Sequence, residues 1–307
     1  MRYTSLFVLL LLAGTAGCGD SGPGFDVEAH RAEVEAWRQG RLERLTSPTG
    51  FLSLAGLFWL EEGSYSFGSA PDNDFVFPPA APAIIGEFEL TNNGVFMRVE
   101  EGVELLAGGE PAESMLIRHD TTGEADVISH GSMSWYAIER AGNFGIRLRD
   151  ANNPVIKSFP PLEYFPTDPR WRVEGSLQLY DEPKVMNVDT VIEGLGYHPT
   201  SPGVVEFDFE GERYSIEAYE SGDQFFFVFG DATTGKETYP AGRFLYSDLP
   251  DENGVTILDF NKAYSPPCAF NAFATCPVAS PRNRLSVRIE AGELFDPDAH
   301  FVPEGKH

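Results

Sequence analysis

From residue 51 onward the chain is written in short runs of β-branched and aromatic residues, broken every few positions by Gly, Asn, Asp or Pro. Runs this short, with turns this frequent, favour sheets that fold back on themselves as sandwiches or barrels. The strand candidates are 75–77, 86–90, 95–99, 135–140, 145–149, 171–179, 204–209, 214–219, 225–229, 254–260 and 285–289. Asn92-Asn93-Gly94 and Glu210-Gly211 join neighbouring runs as hairpin turns. Pro160, Pro161, Pro166 and Pro169 interrupt the series, since proline cannot continue the interior of a sheet. The expected fold is therefore all-β, with two packed sandwich- or barrel-like units at 51–165 and 166–307. A short helix precedes them at 26–50, with Asp26 as its cap and Val27, Val34, Trp37 and Leu45 on one apolar face. Ser47-Pro48-Thr49-Gly50 ends it.

The first residues bear on location. Arg2 precedes an apolar run, Leu6 to Leu12, and small residues then lead to Cys18. The run is too short to span a membrane and has the form of a secretory signal at 1–17. Thr15-Ala16-Gly17-Cys18 resembles a lipobox, which implies lipidation of Cys18 and a flexible tether at 18–25. The expected protein is exported and held at the cell envelope through a lipid anchor, on the periplasmic or the outer surface. Of the three cysteines this leaves Cys268 and Cys276, eight residues apart. Outside the cytoplasm their default state is a disulfide, with a metal site or a reactive thiol as the alternative.

The chain carries 47 acidic and 22 basic side chains, a net charge of −25. Nucleic acid is an unsuitable partner for it, because phosphate binding needs clustered Lys and Arg. Gly-x-Ser-x-Gly and His-Glu-x-x-His are both missing, which excludes the nucleophile elbow and the common zinc-protease helix. Gly230 to Lys236 has the spacing of a phosphate loop, but Glu237 stands where magnesium needs a hydroxyl, so a polar turn is expected. His130, in Ser129-His130-Gly131-Ser132, is the best candidate for a base, although its sequence neighbours give it no partner. No cofactor or metal is expected, and no catalytic set can be named. A calcium site on Asp231, Asp259 and Asn261 lacks the fixed spacing of known calcium loops.

The stretches Asp168-Pro169-Arg170-Trp171, Gly230-Asp231-Ala232-Thr233-Thr234-Gly235, Leu258-Asp259-Phe260-Asn261, Pro266-Pro267-Cys268 and Asn283-Arg284-Leu285 stand at fixed spacings. With them the chain, from about Arg41 to its end, resembles the DUF1684 family of uncharacterised bacterial and archaeal proteins. The resemblance implies no established activity. Phe67 to Phe77 also resembles the opening of a forkhead-associated sandwich. That family reads phosphothreonine with an Arg after the Gly and a Ser/His pair further on. Ser69 follows Gly68 here, and 80–86 holds neither Ser nor His, so only the scaffold is implied.

The strongest polar cluster is Arg243, Asp259, Asn261, Tyr264 and Arg284. On a strand, residues i and i+2 share a face, so Asp259 and Asn261 point one way while Phe260 enters the core. These five suit a small-molecule or glycan ligand; they also suit a network that holds the loop itself. The expected role is a noncatalytic ligand-binding or structural module of the envelope. A hydrolase acting on an exported small molecule or polymer is the alternative.

Overall fold

The structure, a computed structural model, describes residues 25–296. The signal segment, Cys18 and most of the tether lie outside the described residues. The molecule is mostly β, with one long helix at its start. That helix, α1 (Val27–Thr46), begins where the sequence places it: the Asp26 side chain accepts from the N–H groups of Glu28 and Ala29 at 3.0 and 3.1 Å. Its buried stripe is His30, Val34, Arg41 and Leu45. Two polar residues therefore occupy helix positions that an apolar pattern would assign to core, and Trp37 sits half-buried beside them.

The first set of strands comprises β1 (Leu54–Leu60), β2 (Gly63–Gly68), β3 (Phe75–Val76), β4 (Gly86–Thr91), β5 (Gly94–Val99), β6 (Leu105–Ala107), β7 (Glu110–Ala112), β8 (Met115–Ile117), β9 (Ile128–His130), β10 (Met133–Arg140) and β11 (Asn143–Asp150). They form a six-stranded sheet, β1-β11-β10-β9-β6-β7, and a five-stranded sheet, β3-β2-β4-β5-β8. Between the sheets lies a core that includes Phe67, Phe88, Met97, Trp135, Ile146 and Leu148. Burying each large apolar side chain contributes roughly 1.5–3 kcal/mol, and this stacked aromatic core is what joins the two layers.

A short helix, α2 (Pro154–Ser158), and the proline-rich stretch lead to six further strands. These are β12 (Arg172–Val185), β13 (Thr200–Phe209), β14 (Glu212–Ser221), β15 (Gln224–Phe229), β16 (Arg243–Asp248) and β17 (Val255–Asp259). Their order, β16-β15-β14-β13-β12-β17, brings the outer two strands together and nearly closes a barrel. The seam between β16 and β17 is bridged by side chains. Thr256 donates its hydroxyl to the Asp248 carbonyl at 2.7 Å and lies 3.0 Å from the Ser247 hydroxyl. The β13–β14 turn at Glu210-Gly211 has both residues at positive φ, 50° and 85°, the geometry that a tight hairpin needs.

The expected strand at 285–289 does not form. Leu285 and Ile289 are buried as alternation predicts, but the segment runs as an extended strap across the Gly230–Ala232 turn. The Leu285 N–H donates to the Gly230 carbonyl, and the Ala232 N–H donates to that of Val287.

Candidate ligand cleft

α1 lies against the barrel, and two buried polar contacts clasp it there. His30 Nε2 is 2.9 Å from Asp259 Oδ2, with the two side chains only 2% and 9% exposed. Three turns further along, Arg41 Nε donates to Glu293 Oε2 at 3.3 Å and its Nη2 donates to the Ser265 carbonyl at 2.8 Å. Burial pushes the Glu293 carboxyl up, and the Arg41 charge opposes the rise. The Arg41 guanidinium also lies over the Tyr264 ring, 4.5 Å from its centroid.

Between α1 and the barrel is a cleft of about 800 Å³. The helix contributes Glu33, Trp37, Arg41 and Arg44, which the three-to-four residue spacing of a helix brings to one side. The barrel contributes Phe244, Tyr246, Ser247 and Asp248 from β16, Ile257 and Asp259 from β17, and Arg172 from β12, directly opposite Asp259 in register. Lys262 and Tyr264 complete that side. Tyr264, Phe244 and Trp37 form a continuous aromatic wall, with ring centroids 5.8 and 6.0 Å apart. Burial, helped by Tyr246 and Glu293 and opposed by Arg41 and Arg44, raises the Tyr264 phenol well above its usual range, so its hydroxyl stays protonated at neutral pH. Lys262 pairs with Glu33 and draws that carboxyl below the usual range. Arg44 and Arg172 have no carboxylate within salt-bridge distance among the described residues.

Of the five residues that the sequence singles out, the cleft takes Asp259 and Tyr264. Asn261 sits next to Asp259, for a reason other than strand alternation. The strand ends at Asp259, whose carboxylate caps a single 3-10 turn, Phe260–Lys262, by accepting from the Asn261 N–H. The Asn261 amide then donates to Asp259 Oδ1 and to the Asp168 carbonyl, at 3.0 and 2.9 Å, and it is fully buried. Phe260 enters the core as expected. Arg243 is also fully buried and faces elsewhere. It donates to the carbonyls of Ala291 and Ile289 and pairs with Asp231 at 3.4 Å, pinning the C-terminal strap. Arg284 is exposed on that strap, paired through its backbone with Gly230, and joins none of the other four. Asp231 is held by Thr233, Arg243 and the Ile289 N–H, which leaves no shared calcium set with Asp259. The Gly230–Gly235 loop is a self-bonded turn, and no helix follows it.

His130 bonds through Nδ1 to the Glu104 carbonyl at 2.9 Å, while the nearby Ser132 hydroxyl donates to Asp150 at 2.7 Å, so the two are engaged separately. In the Phe67 to Phe77 stretch, Ser69 and Asn73 bond to backbone carbonyls between Ala70 and Ala83 and so close their own loop. Cys268 and Cys276 are buried side by side as thiols, the Cys268 N–H donating to Cys276 Sγ at 3.2 Å. The cleft residues that sequence reading missed are Glu33, Trp37, Arg41, Arg44, Arg172, Tyr246 and Lys262. Trp37 and Arg41 at i and i+4, followed by Arg44, were the signal available on the helix.

The architecture defines a nearly closed six-stranded barrel with a clasped N-terminal helix and a cleft between them. Residues 157–294, which hold that barrel and its strap, match the family model described as protein of unknown function (DUF1684). An uncharacterized protein of Haloarcula marismortui, solved by solution NMR, is 28% identical over 45% of this chain and 78% of its own, with a TM-score of 0.38. No curated protein matches.

Proposed function

We propose that this protein is an exported envelope lipoprotein, anchored through Cys18, whose helix–barrel cleft binds a small molecule without transforming it. One observation carries the binding reading: an aromatic-walled cleft that holds cations without acid partners, in a chain whose net charge is −25. Concave, largely pre-formed sites with apolar walls and a few polar groups are where small ligands bind. The buried polar contacts around the cleft fix its walls, and no nucleophile is paired with a base there. The Arg2, Leu6–Leu12 and Cys18 pattern supports export and anchoring.

The test uses protein extracted from its own membranes. Native mass spectrometry of the parent is expected to show a stoichiometric low-mass ligand that Trp37→Ala no longer retains. Cys18→Ser is expected to leave the membrane fraction and to lose labelling by a palmitate analogue. A ligand-free parent, or equal retention by Trp37→Ala, overturns the binding reading, and equal labelling of Cys18→Ser overturns the anchor.

A further inference from the structure

The cleft is electrostatically lopsided along α1, and this points to the class of ligand. The lining carboxylates are Glu33, Asp248 and Asp259. Glu33 is eleven residues before Arg44 on the helix, a separation of roughly 16 Å at 1.5 Å per residue. Asp259 is tied to His30, which is still further from Arg44 along the same helix. Asp248 is four residues along β16 from Phe244, the backbone partner of Tyr264, so it lies roughly 13 Å up the strand.

At the Arg44 end the lining residues are Ser47, Thr49, Gly50 and Phe51, with no acid among them. Arg149 of β11 reaches this loop from behind and donates to the carbonyls of Thr49 and Gly50. Glu293, the remaining acid near Tyr264, is fully buried beneath Arg41 and paired with it. Arg44 itself is exposed and lines the same cleft as Trp37 and Tyr264 of the aromatic wall. A cation at one end of a gallery of rings, with Glu33 and Asp259 toward the opposite end of the helix, discriminates by charge as well as by shape.

We infer that the cleft takes a flat, ring-bearing organic anion. Its ring lies along Trp37, Tyr246 and Tyr264, and its carboxylate, phosphate or sulfonate faces Arg44. This rests on the ligand-binding reading of the same cleft and deepens it.

Two fluorescent dyes that differ by one sulfonate group make the test: 8-anilinonaphthalene-1-sulfonate and its uncharged parent, N-phenyl-1-naphthylamine. Both are titrated into the soluble form lacking the lipid, for the parent, Arg44→Gln and Trp37→Ala. The parent is expected to bind one equivalent of the sulfonate about tenfold more tightly than the neutral dye, a difference of ~1.4 kcal/mol. Arg44→Gln is expected to erase that preference and leave the neutral dye unchanged, and Trp37→Ala to weaken both. Equal affinity for the two dyes, with Arg44→Gln silent and Trp37→Ala weakening both, overturns the anion inference and leaves the site standing. If neither dye saturates at one equivalent, or if Trp37→Ala changes neither, the inference and the site fall together.

Discussion

Asp259→Ala tests whether the residue that sequence and structure both single out holds the fold together or serves a ligand. The carboxylate makes three hydrogen-bond contacts inside the protein, with His30 Nε2 at 2.9 Å, the Asn261 N–H at 3.2 Å and the Asn261 amide at 3.0 Å, and a longer ion pair with Lys262 at 3.9 Å. Removing it takes the cap from the 3-10 turn, which costs about 1 kcal/mol. It also strands a buried ring nitrogen on His30, whose other nitrogen already lacks a partner, and that costs about 1–3 kcal/mol. The Asn261 amide keeps the Asp168 carbonyl, so its loss is partial. The total is about 3 kcal/mol, which lowers the melting temperature by roughly 6–12 °C in a chain of this size. Thermal melts followed by circular dichroism at pH 7 measure it. A double-mutant cycle with His30→Ala should return a coupling above about 1 kcal/mol, because the two groups share one buried contact. A melting temperature within about 2 °C of the parent refutes the scaffold role, since it corresponds to less than 1 kcal/mol. Asp259 would then be a ligand group whose partners lose nothing when it goes.

Cys268 and Cys276 are expected to be joined in the exported protein, as their buried juxtaposition allows. Non-reducing peptide mapping should show one linked peptide, and reduction should remove roughly 2–3 kcal/mol of stability for so short a loop; two free thiols after export refute the pairing. For Asp120, burial raises the carboxyl, but the hydrogen bond and charge of Arg140 more than reverse this and leave it below its ordinary value of 3.8. A depressed carboxylate contributes stability that is complete above its unfolded-state value and disappears as pH falls through the lowered one. Asp120→Asn should therefore cost about 1 kcal/mol in urea melts at pH 7 and almost nothing in strong acid. An equal loss at both pH values refutes the linkage.

Alternation and turn chemistry made much of the β fold readable. The hairpins at Asn92-Asn93 and Glu210-Gly211 form where the turn residues stand, α1 starts at Asp26, and Phe260 enters the core. β1 was missed because Leu54 to Leu60 contains no β-branched residue, and the three-residue strands β6 to β9 are too short to carry a pattern. The cleft was harder to read because its parts meet only in three dimensions. His30 and Arg41 look like surface residues of a polar helix, yet their acid partners lie 229 and 252 residues away. Those distant carboxylates turn two charged-looking positions into core. Asp259 and Asn261 were paired for the wrong reason: a capped turn brings them together after the strand has ended. Arg243 and Arg284 were grouped with them by nearness in sequence, whereas Arg243 bonds to Asp231 and the strap, and Arg284 pairs through its backbone with Gly230.

The seam between β16 and β17 gives the cleft a mechanical meaning. An antiparallel ladder resists separation along its whole length, but here the two edges meet through hydroxyl contacts at one level. Phe244, Tyr246, Ser247 and Asp248 stand on one bank of that gap, and Ile257 and Asp259 on the other. A molecule in the proposed site would span both banks and act as a rivet across two edges that no backbone ladder joins. Occupancy would then be felt around the whole circumference, as slower opening of strands that never touch the ligand.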